Sequence, residues 1–155
     1  MLKIKLVCVG KIKEGYYRAK IEDLKKEINR TGKYNLEIIE VPDESIPKNA
    51  GVSIMDAIKN SEGERILSNI GNKEYVVALC IEGKPTDNKK LSELIKKAEE
   101  DYYDSLTLII GGSLGLSDKV VKKADYKLSF SNMTFPHQLM RVVLLETIYD
   151  SLYCY

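Results

Sequence analysis

The feature that most restricts what this chain can fold into is the regular exchange of two hydrophobic periods. Short apolar runs at 2–9, 36–41, 74–81 and 106–110 have the length and β-branched content of buried strands. Between them, apolar residues recur every three or four positions: Tyr17, Ile21, Leu24 and Ile28; then Ile54, Ala57, Ile58, Ile66, Leu67 and Ile70; then Leu91, Leu94, Ile95 and Ala98. That spacing predicts amphipathic helices over 16–29, 53–70 and around 91–98. Strands separated by helices must be joined by crossovers, which favour parallel pairing. The expected fold class is therefore an α/β sandwich with a mostly parallel sheet, built from one domain spanning 1–155. The 76–79 segment is apolar on both faces and predicts a central strand covered by helices on both sides. Gly63 is the weak point of the second helix. Further on, Ser117 caps a short helix running to Lys123, 126–128 reads as a brief last strand, and Thr134-Phe135-Pro136 opens a final helix with Thr134 or a neighbour as its cap.

The charges exclude some functions and localise others. With 24 Lys and Arg against 23 Asp and Glu, the chain lacks the uniform positive charge by which histone-like proteins hold nucleic acid. The balance is an average, because residues 1–35 carry ten Lys and Arg against four Asp and Glu. The basic residues there include Lys11, Lys13, Arg18, Lys20, Lys25, Lys26 and Arg30. A single histidine, His137, excludes a multi-histidine metal site, and the spacing of Cys8, Cys80 and Cys154 matches neither a zinc motif nor a disulfide framework. Free thiols are expected, as in a reducing cytoplasm. No apolar run approaches the ~18 residues of a membrane span, and 1–5 lacks the pattern of a signal peptide.

In open α/β sheets ligands sit beyond the carboxyl ends of the strands. Gly111-Gly112 directly follows the 106–110 strand, lets a ligand approach the backbone closely, and precedes the helix start at Ser117-Asp118. The Gly10-Lys11-Ile12-Lys13-Glu14-Gly15 segment is not a nucleotide phosphate loop, since Tyr16 stands where the helix should open with Lys-Ser/Thr. Lys11 and Lys13 remain available as phosphate contacts. The final helix is apolar nearly all round and so needs to bury two sides, which predicts self-association. His137 and Arg141 share one face at its start. Arg141, set among apolar residues, is expected to reach a carboxylate, a phosphate or a neighbouring subunit.

Three segments together resemble a known family: Val9-Gly10-Lys11-Ile12-Lys13-Glu14, the run IIGGSLGL at 109–116, and the run LSFSNMTFPHQLMRV at 128–142. They look like the ribosomal RNA large-subunit methyltransferase H family, small SPOUT-class enzymes that methylate N3 of a pseudouridine in 23S rRNA. The resemblance implies a trefoil knot, a homodimer, and S-adenosylmethionine bound in the knot. It places the cofactor contacts on Leu79, on Gly111 with Gly112 beside it, and on Phe130, Ser131, Asn132, Met133, Thr134 and Phe135. His137 becomes the candidate base, and Arg141 the group that holds a phosphate or stabilises a developing imide anion. Lys11, Lys13 and Arg18 become candidate contacts to rRNA. Family members continue past the matching tyrosine with an arginine and a Pro-Tyr-His-Lys-like tail. This chain instead has Asp150 after Tyr149, followed by Leu152-Tyr153-Cys154-Tyr155. The resemblance thus leaves two outcomes: an rRNA methyltransferase in which Tyr153 and Tyr155 stack on a base, or a knotted dimer that binds cofactor or RNA with weak or no catalysis. A flavodoxin-like domain of unrelated function is the third reading, and it would not bind the cofactor.

Overall fold

A computed structural model describes residues 1–131 and 135–154, apart from the side chain of His137. The chain runs β1 (Leu2–Val9), α1 (Gly15–Asn29), β2 (Tyr34–Val41), α2 (Val52–Leu67), β3 (Glu74–Pro85), α3 (Asn88–Glu100), β4 (Ser105–Ile110), α4 (Asp118–Lys123), β5 (Tyr126–Ser129) and α5 (His137–Tyr153). The five strands form one sheet in the order β2-β1-β4-β3-β5, and every pairing is parallel.

Alternation along the strands divides the core into two. Leu2, Ile4, Leu6 and Cys8 of β1 face α1, α3 and α5, while Val7 and Val9 face α2 and α4. Helix α5 lies over the sheet between α1 and α3 and contacts both. Its Leu144, Leu145 and Ile148 are fully buried, each stabilising the fold by roughly 1.5–3 kcal/mol. The flanks of α5, including Val142, Val143, Tyr149 and Leu152, are half-buried against the same core. Part of the second apolar side expected to need a partner is therefore covered within the chain.

Three details differ from the expectation. The central strand is β4, with all six residues buried, and β3 lies one place outward between β4 and β5. β3 also continues to Pro85, because its far end pairs again with β5. Helix α2 stops at Leu67, where the Ser68 hydroxyl and the Asn69 amide both donate to the Arg65 carbonyl oxygen. Helix α5 begins directly after Phe135-Pro136, as expected, with Pro136 at its N-cap position and no side-chain cap bond among the described residues; Thr134 lies outside them. Gly63, by contrast, has a structural reason. A Cβ there would stand 2.3 Å from the Ser117 hydroxyl oxygen, so its lack of a side chain lets α2 close on the start of α4. Among the described residues no helix is long and apolar enough to cross a membrane.

The end of the sheet opposite the strands' carboxyl termini is tied by one carboxylate. Glu74 accepts hydrogen bonds from Lys5 Nζ (3.0 Å), Ser105 Oγ (2.9 Å) and Thr107 Oγ1 (2.6 Å), and from the Gly71 N–H. Burial alone would raise its pKa, but these hydrogen bonds outweigh burial and hold the carboxyl at about 2 against an ordinary 4.5. A depressed carboxyl stabilises the folded state above its unfolded pKa and loses that contribution as pH falls through the folded value. Stability should therefore decline as pH falls from 4.5 toward 2. Glu74→Gln should cost on the order of 2–3 kcal/mol at neutral pH and flatten this decline, as measured by urea denaturation across a pH series.

Candidate functional site

A cleft of about 770 Å³ opens beyond the carboxyl ends of β3 and β4, within the range of small-molecule sites. Three backbone features shape it. Leu79 of β3 pairs with Leu128, and Lys84 pairs with Leu128 again, so residues 80–83 leave the ladder and 80–82 form one wall. Gly83 marks where that segment returns: a Cβ would lie 2.7 Å from Leu128 N and 2.8 Å from Leu128 C, leaving no room for any side chain. The second wall is the 111–115 turn after β4, where the Gly115 N–H donates to the Gly112 carbonyl (3.0 Å) and Gly115 adopts φ +85°. A Cβ on Gly111 would lie 2.9 Å from Gly115 C. The third wall comes from the end of β5 and from Phe135, Pro136 and Met140 at the start of α5.

This arrangement brings together Leu79, Gly111, Gly112, Phe130, Ser131 and Phe135, all of which line the cleft. Asn132, Met133 and Thr134 lie outside the described residues. His137 begins α5 directly after the cleft-lining Pro136; its side chain is not among those described. Sequence reasoning missed Cys80, Ile81 and Glu82, because Gly83-Lys84-Pro85 reads as an ordinary turn. It also missed Lys59 of α2, the one cation among the described lining residues, whose Nζ stands 4.0 Å from Asp56 Oδ1. Ile81 and Phe135 are exposed at the cleft and offer apolar surface there. Burial pushes the Cys80 thiol above its ordinary pKa, with Glu82 adding to the effect, so this thiol is a poor nucleophile.

Arg141 lies elsewhere. It is 1% exposed, and it does not line the cleft. Its Nη1 donates to Glu40 Oε2 (2.7 Å), and its Nη2 donates to the carbonyl oxygens of Val9 and Gly10 (2.8 Å each). Of the three partners expected for it, the structure supplies the carboxylate. Both terminal nitrogens are thus engaged inside the fold. Glu40 Oε2 also accepts the Ile12 N–H (3.0 Å).

The loop carrying Lys11 and Lys13 is consequently fixed at several points. Ile12 is buried between the two exposed lysines, Arg18 Nη2 donates to the Ile12 carbonyl (2.8 Å), and the Lys13 N–H donates to Gln138 Oε1 of α5 (3.0 Å). Lys11 and Lys13 thus stand on a braced loop joined to the first turn of α5, the turn that also borders the cleft. Arg18 spends at least one donor on that brace. Tyr153 does not face the cleft: its hydroxyl donates to the Ile28 carbonyl (2.8 Å) and lies 3.1 Å from Thr31 Oγ1, fastening the end of α5 to the end of α1. Tyr155, the other residue expected to stack on a base, lies outside the described residues.

Comparison with known proteins adds two findings. A family model described as "Predicted SPOUT methyltransferase" matches residues 2–153. Proteins named ribosomal RNA large subunit methyltransferase H are similar over almost the whole chain. That of Clostridioides difficile (strain 630) is 49% identical over 148 residues, covering 96% of this chain and 92% of the relative. That of Streptococcus agalactiae serotype III is 47% identical over 148 residues with the same coverage. That of Alkaliphilus oremlandii is 45% identical over 151 residues, covering 97% and 94%.

Replacing Arg141 with Met leaves the Glu40 carboxylate and two carbonyls without their donor. Removing one partner of a buried ion pair costs about 3–5 kcal/mol, which in a chain of this size lowers the unfolding midpoint by roughly 10 °C. Arg141→Lys should recover only part of this, because one ammonium cannot reproduce the planar fork. Differential scanning calorimetry of the two variants checks both outcomes.

Proposed function

The chain belongs to the SPOUT methyltransferase family, and from that premise we propose that it methylates N3 of a pseudouridine in 23S rRNA of the assembled ribosome, using S-adenosylmethionine. The observation that carries this reading is the meeting of Leu79, Gly111, Gly112, Phe130, Ser131 and Phe135 in one cleft at the carboxyl ends of the strands. The cleft fits such a cofactor. Its glycine turn exposes backbone where a Cβ on Gly111 would already collide, and Leu79 and Phe130 offer apolar surface to an adenine ring. Lys59 is the cation available to a ligand carboxylate. We further propose that the working form is a cytoplasmic homodimer formed through α5, and that the crossing at Gly83 belongs to a trefoil knot.

The bound cofactor supplies a methyl group already activated by a sulfonium, so the protein's work is positioning and the removal of one proton. The glycine turn and the 79–82 wall would hold the cofactor. The imide nitrogen becomes nucleophilic when its weakly acidic proton is taken, and His137, next in sequence to the cleft-lining Pro136, is assigned as the acceptor. Arg141 acts at one remove, holding the Lys11 and Lys13 loop against α5. Those lysines meet RNA phosphates, and the second copy doubles their charge.

Calorimetry should detect S-adenosylmethionine binding to the wild type and at least a tenfold loss in Gly111→Ala; no binding to the wild type would reject the methyltransferase reading. Lys59→Gln should weaken S-adenosylmethionine about tenfold while leaving 5′-methylthioadenosine, which lacks the carboxylate, unchanged. Ribosomes lacking the modification should be methylated by the wild type and not by His137→Ala. Binding without turnover in the wild type would favour the binding-module reading. The double variant Lys11→Glu, Lys13→Glu should weaken ribosome association and reduce its logarithmic salt dependence by about 1–2 for each protomer whose loop meets the RNA.

A further inference from the structure

Helix α2 carries a carboxylate that the reaction does not use. Glu62 is 5% exposed, and among the described residues no cation lies within ion-pair distance of it. Its Oε2 accepts the Glu44 N–H (3.0 Å) from the loop between β2 and α2. Its Oε1 reaches the glycine turn so closely that a Cβ on Gly112 would lie 3.1 Å away. Stability alone favours an apolar side chain at such a place, since taking a polar carboxyl group out of water is costly.

The position of Glu62 explains what the carboxylate can do. A small cavity of about 20 Å³ lies between the β2–α2 loop and the glycine turn, with Glu62 in its wall. Gly112, Ser113 and Leu114 line both this cavity and the large cleft, so the turn is a thin partition with the ligand cleft on one side and Glu62 on the other. The same loop is strapped to α2 by Arg65, which donates to the Pro42 carbonyl (3.0 Å) and to the Glu44 carboxylate. Asp43 meanwhile abuts Gly10, where a Cβ would lie 3.8 Å from Asp43 Cγ. A chain of contacts therefore runs from the glycine turn through Glu62 and residues 43–44 to Gly10, at the root of the basic loop.

We propose that Glu62 is a positioning residue for cofactor binding: it backs the glycine turn from behind and couples occupancy of the cleft to the β2–α2 loop. This rests on the methyltransferase reading above. S-adenosylhomocysteine, the cofactor without its transferable methyl group, serves as the probe.

Two measurements on the full chain test the proposal. In wild type, S-adenosylhomocysteine should slow amide exchange at residues 43–46 by about threefold or more, with the Glu44 amide among those protected. In Glu62→Leu, an apolar replacement of similar size, S-adenosylhomocysteine should bind about tenfold more weakly and the slowing at 43–46 should disappear. The KM for S-adenosylmethionine should rise about tenfold while kcat changes less than threefold. Glu62→Gln, whose amide oxygen still accepts the Glu44 N–H, should recover binding to within about threefold of wild type. Ile66→Ala, at an equally buried site on α2 that does not line either cavity, should bind normally. The proposal is overturned if Glu62→Leu binds within twofold of wild type, if Glu62→Gln fails to recover, or if Ile66→Ala loses as much. The wild-type exchange measurement needs no variant, so unchanged exchange at 43–46 overturns the coupling even if Glu62→Leu does not fold. Failure of the wild type to bind S-adenosylhomocysteine at all rejects the underlying reading instead.

Discussion

The site depends on one guanidinium. Arg141 enters from α5 and donates to Glu40 of β2 and to the carbonyls of Val9, the last residue of β1, and of Gly10 after it, which would otherwise be buried acceptors at the point where the chain leaves the sheet. Because Glu40 also takes the Ile12 N–H, one carboxylate and one guanidinium fix three elements at once. An ion pair at this depth earns little net stability, and a well-packed apolar pair would do as well or better. What it provides is registration. The start of α5, the end of β1 and the loop after it are held in one relation, and the cleft is built on the first of these while the basic loop grows from the second.

The cleft itself is made mostly by backbone approaching backbone. Gly83 passes against the main chain at 127–128, Gly111 folds onto Gly115, and Gly63 lets α2 settle against Ser117. At each place a methyl group has nowhere to go, or at Gly63 must displace a capping hydroxyl. The result is a pocket whose shape is set by chain path and whose polar groups are largely amides and carbonyls. Such a pocket leaves little room for substitution at these glycines.

Much of this was legible in the sequence, for a definite reason. Strands such as 2–9 and 106–110 announce themselves by local apolar runs, α1 and α3 by their spacing, and the Ser117 cap by residue type. Gly111-Gly112 pointed to the cleft because it follows a strand end. What stayed hidden depends on distant partners. Arg141 finds Glu40 across 101 positions, and no local pattern tells a carboxylate partner from a phosphate. Gly83-Lys84-Pro85 has the composition of a turn and becomes strand only because β5 lies beside it. Gly63 looked like a flaw in a helix until Ser117 was placed against it. Lys59 and Glu62 were ordinary charged residues on a helix until the glycine turn was set beside that helix.

The strand order has a consequence in time. β3 is made before β4, yet its place in the sheet lies on the far side of β4 from β1. Until residues 105–110 pair with β1, the apolar strand containing Val76, Val77 and Ala78 has no edge on which to dock. Non-local parallel pairing of this kind is slow, and an unpaired apolar strand is the segment by which a folding chain sticks to another. The fold thus leaves a growing chain with a sticky middle, and insertion of β4 is the event that ends the exposure.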